Sequence, residues 1–128
     1  MIIGVGIDVV DIDRVQRMLS EHGGRMLHRL FAEAERTYAM SKAKPALHLA
    51  ARLAAKEAAF KALSGSEEAR AIGWSEIEVT RDALGRPGLA LHGRAAARAT
   101  ALSVARIHCS LTHTDLSAAA VVVLEDGG

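Results

Sequence analysis

Aromatic residues are scarce in this chain. One Trp, one Tyr and two Phe make up 3% of 128 residues, too few for the stacked platforms that hold single-stranded nucleic acid. An excess of one charge is also missing. Lys and Arg number 16 against 15 Asp and Glu, a formal net charge of +1. That is neither the basic footprint of a nucleic-acid binder nor the acidic excess of a disordered tail. Cys109 is the only cysteine, so no intrachain disulfide can form, and a reducing compartment suits the chain. Its ordinary role would be that of a small buried apolar side chain. Long apolar runs are absent as well. The longest toward the C-terminus, Leu116 to Leu124, falls far short of the ~20 residues of a membrane-spanning helix. Asp8, Asp11 and Asp13 interrupt the apolar N-terminus, the wrong pattern for a signal peptide. The expectation is a cytoplasmic protein with no nucleic-acid or membrane partner.

Half of the residues are hydrophobic, mainly Ala, Leu, Val and Ile, and the length suits one domain over residues 1–128. Ile2 to Val10 has little polar alternation and reads as a strand buried on both faces. Asp11 or Asp13 can cap a helix that carries Val15, Met18 and Leu19 and stops at His22-Gly23-Gly24. A short helical turn over 26–31 and a helix over 33–40 follow. Pro45 opens the strongest helix, Ala46 to Leu63, rich in Ala and Leu and closed by Ser64-Gly65. Leu49, Leu53, Lys56, Phe60 and Leu63 share its apolar stripe, with Glu57 beside it. Short strands over 77–80 and 89–91 flank a turn at Gly85-Arg86-Pro87. An Ala-rich helix over 94–103 precedes two strands, 105–112 and 117–124, that pair as an antiparallel hairpin around Thr114-Asp115. Helices and strands do not alternate regularly. The fold class is therefore α+β: one small domain with an antiparallel sheet packed on the long central helix.

Few residues carry chemistry unambiguously. Gly4-Val-Gly6 opens like a dinucleotide-binding turn, but Val9 stands where the third glycine belongs. The glycines instead admit a closely approaching backbone or ligand. Asp8 lies inside an apolar strand, where a carboxylate must be paired, hydrogen-bonded or metal-bound. Glu57 either pairs with Lys61 one turn on or joins Asp8 around a hard cation such as Mg²⁺, which needs only one or two carboxylates besides phosphate oxygens and water. Arg52, Lys56 and Lys61 read either as snorkelling side chains or as a cationic wall for phosphates. Ser110, His113 and Asp115 have the residue types of a hydrolase triad but lie too close in sequence to converge. His108 and His113 fall on opposite strand faces and cannot share a metal; His113 alone reads as a turn histidine. Arg14, Arg17 and Met18 share a face of the first helix, solvated or suited to an acidic helical partner.

Four motifs in order resemble one family. They are Gly6-Ile-Asp8 followed by Arg14, Arg52-Leu-Ala-Ala-Lys56-Glu57-Ala-Ala-Phe-Lys61-Ala, Gly85-Arg86-Pro87, and Ser110-Leu-Thr-His113 before an Ala/Val strand. Together they resemble the holo-acyl-carrier-protein synthase family of 4′-phosphopantetheinyl transferases along essentially the whole chain. One loop departs: Ser64-Gly65-Ser66 stands where the family has a Gly-Thr-Gly-like segment. The resemblance implies transfer of phosphopantetheine from coenzyme A to a serine of apo acyl carrier protein, in fatty acid biosynthesis, with release of adenosine 3′,5′-bisphosphate. It implies that Asp8 and Glu57 hold Mg²⁺ and, with His113, serve catalysis. It places Arg52, Lys56, Lys61, Gly65, Arg86, Pro87 and His113 near coenzyme A, and Arg14, Arg17 and Met18 at the carrier-protein docking face. It also implies a homotrimer with sites between neighbouring subunits. A non-enzymatic carrier-protein binding module and a metal-dependent phosphohydrolase are the competing readings.

Overall fold

The computed structural model describes residues 1–128. It is an α+β domain with two antiparallel sheets rather than the single sheet expected. Strand β1 (Ile2–Asp11) pairs with β5 (Ser117–Glu125), which pairs in turn with β4 (Arg106–His113). A separate ribbon joins β2 (Ile77–Arg81) to β3 (Pro87–Leu91). The β4–β5 hairpin turns on Thr114, whose hydroxyl accepts hydrogen bonds from Leu116 N and Ser117 N, both at 3.1 Å.

Helix α1 (Ile12–Leu30) follows β1 directly. Asp11 occupies its N-cap position, but neither expected cap forms: no side chain caps the helix. The predicted stop at His22-Gly23-Gly24 is a kink instead. Gly23 takes φ 43° and ψ −118°, a conformation open mainly to glycine, and the helix resumes to bury Met26 and Leu30. Helix α2 (Glu33–Met40) leads into α3 (Pro45–Ala62), which starts on its proline. Its Ala and Leu side chains form the centre of the core, with Leu49, Ala50, Ala54, Ala55 and Ala58 fully buried. A short helix α4 (Glu67–Arg70), a 3-10 turn (Trp74–Glu76) and α5 (Gly93–Ala101) complete the chain. No helix is long and apolar enough to cross a membrane.

The backbone that approaches the N-terminal glycines is α3. A Cβ on Gly6 would lie 1.7 Å from Ala58 O, and one on Gly4 would lie 2.4 Å from Ala62 O. Any side chain at either position would push helix and strand apart. This contact sets Asp8, two residues past Gly6, against Glu57, one residue before Ala58.

β1 is not buried on both faces in the single chain. Gly6 and Val10 face α3, whereas Val5, Ile7 and Val9 are 57%, 64% and 62% exposed. They stand opposite Val123, Val121 and Ala119 of β5. The β1–β5 part of this outer face is therefore an apolar patch without cover, bordered by the exposed His108, Ser110 and Thr112 of β4. Along an apolar strand, periodicity does not show that one face will find no neighbour within its own chain.

Candidate functional site

The candidate residues fall into three groups. The first lies where β1 meets α3. Lys61 Nζ donates to Asp8 Oδ1 at 3.0 Å and to Ile7 O at 2.9 Å. Asp8 Oδ2 is buried and has no hydrogen-bond donor, and the Glu57 carboxyl adjoins it. Burial opposes the charge on Asp8, but the neighbouring Glu57 acid and the Lys61 ammonium outweigh it and hold Asp8 below its ordinary range. Glu57 behaves oppositely. Burial and then the proximity of Asp8 push it up to about 7, against the pull of Arg14 and Lys61. Asp8 and Glu57 thus lie side by side with a proton held between them while Glu57 is the acid, and one Asp8 oxygen is buried without an ammonium or N–H donor. No group of three or more metal-ligating side chains exists. Two carboxylates are a donor set of the kind that Mg²⁺ takes, since it keeps its waters and binds phosphate oxygens rather than a full protein cage.

The second group is closed. Lys56 was expected beside coenzyme A, but the structure buries it completely. Its ammonium donates to Glu35 Oε1 at 2.6 Å, to Trp74 O at 3.1 Å and to Ile77 O. Glu35 also accepts from Ala32 N at 3.0 Å and Val79 N at 3.1 Å. Each ammonium hydrogen has an acceptor, so Lys56 has nothing left to offer a phosphate. It belongs to the apolar stripe on which its spacing places it, and it ties α2 and β2 to α3.

The third group surrounds a recess of about 120 Å³ lined by His48, Arg52, Arg81 and His113, with Leu47 and Thr112 among its walls. Arg52 is only 3% exposed. Its guanidinium lies 4.3 Å from the centre of the Tyr38 ring, yet its Nε and Nη1 are buried without any acceptor. Buried donors left unmatched cost on the order of 1–3 kcal/mol each, and an anion entering the recess would relieve that cost. Arg52 and Glu57 are five positions apart in α3, about 140° around its axis and ~7.5 Å along it. Within one chain the cationic recess and the carboxylate pair thus face different ways. His113, expected at coenzyme A and as one possible acceptor of the serine proton, stands with Arg52 in this recess.

The remaining candidates are scattered. Gly65 adopts φ 114° in a loop that Arg98 braces through Leu63 O and Ser64 O at 2.8 and 3.1 Å. Ser66 caps α4 by accepting from Ala69 N at 3.1 Å. Arg86 is exposed on the β2–β3 turn, and its N–H donates to Asp82 Oδ1 at 2.9 Å. Neither Arg86 nor Pro87 lines the Arg52 recess. Arg14 and Arg17 are exposed on α1 beside Leu116, and Met18 is half-buried against the core.

Sequence reasoning missed Glu35, Tyr38, His48, Arg81 and Arg98. Only His48 carried a local signal, since it lies one helical turn before Arg52 on the same face. The others arrive from distant elements.

Known proteins match this arrangement along the chain. A curated holo-[acyl-carrier-protein] synthase of Geobacter sulfurreducens is 46% identical over 125 residues, 98% of this chain and of its own. That of Koribacter versatilis is 43% identical over 126 residues, covering 98% of this chain and 100% of its own. The solved holo-(acyl-carrier-protein) synthase of Bacillus anthracis, in complex with CoA (3′,5′-ADP), superposes with a TM-score of 0.79 at 31% identity over 99% of both chains. Residues 4–121, from the glycine pair of β1 to the middle of β5, match the profile of one enzyme family. With Asp8, α3 and both clusters inside that span, the chain belongs to the 4′-phosphopantetheinyl transferase superfamily.

Proposed function

We propose that this protein transfers the 4′-phosphopantetheine group of coenzyme A to a serine hydroxyl of an apo acyl carrier protein. The observation that carries the reading is the Asp8–Glu57 pair, with one buried oxygen lacking a donor, in a family member whose curated relatives are named for this synthase activity. The serine oxygen forms a bond to the phosphorus bearing the pantetheine arm. The bond from that phosphorus to the bridging oxygen breaks, and adenosine 3′,5′-bisphosphate leaves. Such transfers depend mainly on positioning and charge neutralisation. Asp8 and Glu57 would hold Mg²⁺, whose charge neutralises the diphosphate and the leaving group. Asp8 stays ionised and is kept in place by Lys61. Glu57 orients a water through which the serine proton passes to its carboxylate. Arg52, Arg81 and His113 receive the 3′-phosphate, and the unmatched Arg52 donors gain acceptors there.

The apolar outer sheet face supports assembly into a trimer, because Val5, Ile7 and Val9 would otherwise remain in water. Assembly also resolves the separation along α3: one chain's carboxylates and its neighbour's cationic recess flank a single coenzyme A. Arg14 and Arg17 would then meet an acidic helix of the carrier protein, with Met18 beneath. We place the carrier in fatty acid synthesis, in the cytoplasm.

The test is a mass measurement. Apo carrier protein incubated with this protein, coenzyme A and Mg²⁺ gains the mass of phosphopantetheine. A carrier that is bound but not modified marks a binding module, and phosphate release without an acceptor marks a hydrolase. Shared sites predict complementation. Glu57→Gln and Arg52→Met chains, each nearly inactive alone, recover activity when dissociated and reassembled together. Absence of recovery in verified mixed trimers places both clusters of a site in one chain.

A further inference from the structure

His48 has no place in the mechanism above, yet it stands at the cationic recess. It lies one turn before Arg52 on α3, and its ring meets the Tyr38 ring edge-on, with centroids 5.6 Å apart and planes at 84°. The face of the same Tyr38 ring carries the Arg52 guanidinium. Tyr38 thus contacts both side chains, and both line one small cavity. The charged groups acting on His48 are Arg52 from its own helix, Lys42 from the segment after α2, Arg81 from β2 and His113 from β4. No carboxylate lines the recess.

We propose that His48 is a specificity-determining residue for the phosphate monoester of the donor, taking up a proton as the phosphate enters and so strengthening preference for the 3′-phosphorylated ligand at lower pH. The inference rests on the reading that the Arg52 recess receives that phosphate. Burial, followed by the surrounding cations, holds the His48 ring below its ordinary range in the free protein. Near neutrality the ring is therefore uncharged until an anion arrives. A phosphate dianion within ~4–6 Å reverses the balance, because an opposite charge at that distance moves a titrating group by roughly one to three units. Each unit is about tenfold in affinity. Arg52 and Arg81 carry fixed charge and cannot supply a pH-dependent increment. The ring stays neutral for a ligand without the phosphate, so the increment belongs to phosphate recognition alone.

The experiment compares adenosine 3′,5′-bisphosphate with adenosine 5′-monophosphate, titrated calorimetrically into the assembled protein between pH 6 and 8. Each titration is repeated in two buffers of different ionisation heat. The proteins are the wild type, His48→Gln, and His48→Phe, which keeps a ring against Tyr38; equal thermal unfolding confirms that the variants fold. Protonation of the ligand is common to all three proteins and cancels in the comparison. The expected result is a ratio of the two affinities that rises about tenfold more in the wild type than in either variant as pH falls, with bisphosphate-linked proton uptake reduced in both variants. An equal pH dependence in wild type and variants overturns the role of His48. If the wild type does not prefer the bisphosphate at any pH, the phosphate reading of the recess fails first, and the role of His48 fails with it.

Discussion

Two lysines of α3 each meet an acid, and the two pairs have different fates. Lys56 and Glu35 are closed off from solvent, 2.6 Å apart, with backbone groups satisfying the remaining polar atoms. Lys61 and Asp8 meet at 3.0 Å at the surface, with more than half of the Lys61 side chain in water. There one carboxylate oxygen has no donor. The closed pair connects four elements, α2, α3, the 3-10 turn and β2, and leaves nothing for a ligand. The open pair connects two and is incomplete. Charge in this helix is therefore structural where it is fully matched and available for chemistry where it is not, although both lysines belong to the same motif.

The sharpest way to break the comparison is Lys56→Ala. It leaves the Glu35 charge in the core and removes one donor each from the Trp74 and Ile77 carbonyls, of which Trp74 O keeps the Ile77 N–H. Breaking a buried pair from one side costs about 3–5 kcal/mol, a large fraction of the ~5–15 kcal/mol that holds a domain together. Urea unfolding should show a midpoint far below that of the wild type. A midpoint within a few tenths of a molar would mean that Lys56 is not a strut.

The next effect falls on the open side. Glu57→Gln retains the shape and removes the charge. We expect turnover to fall at least ~100-fold, the scale on which a single preorganised electrostatic contact acts in catalysis. The fold should persist, because Asp8 keeps Lys61 as its partner. Unimpaired phosphopantetheinylation by this variant would remove Glu57 from the metal site.

The contrast between the pairs explains what could be read before the structure. α3 was legible because Pro45, an Ala/Leu body and a following glycine agree on one helix. The β4–β5 hairpin was legible from its alternation. Asp8 and Glu57 could be singled out because a carboxylate in or beside an apolar stripe demands a partner. Lys56 misled because its partner lies 21 residues away in another helix, where spacing within α3 carries no information. Arg81 and Tyr38 were hidden for the same reason: they reach the recess only through tertiary packing. Gly23 read as a helix end because glycine marks an end and a kink alike.

A pH and Mg²⁺ series sharpens the open site further. Glu57 is raised to about 7 from an ordinary value of 4.5, so the folded state holds this proton more tightly than the unfolded chain. Its contribution to stability is fully present below about 4.5 and is lost as pH rises through about 7. Asp8, held low, acts in the opposite sense at more acidic pH. Without metal, the melting temperature of the wild type should therefore fall more than that of Glu57→Gln on going from pH 5.5 to 8, a comparison in which the opposite contribution of the low-held His48 ring is common to both. Mg²⁺ binds the ionised pair, so its stabilising effect should grow over the same interval. Thermal unfolding with and without Mg²⁺ reads both trends, and a metal effect independent of pH would separate Glu57 from the cation.

The smallest expected change in stability comes from Lys61→Met. An exposed ion pair contributes only ~0–1 kcal/mol, and the stem of the replacement retains the apolar packing along α3. Unfolding should hardly move, in contrast to Lys56→Ala five residues earlier. Catalysis should respond more strongly. Without the ammonium on Oδ1 and Ile7 O, Asp8 loses the contact that orients it, and the two carboxylates repel with less compensation. Mg²⁺ should then be needed at higher concentration for half-maximal rate, by about tenfold, the low end of what lost support around a metal ligand costs. Saturating Mg²⁺ should restore much of the turnover. A variant destabilised as severely as Lys56→Ala would show that both pairs are structural and remove the distinction between them.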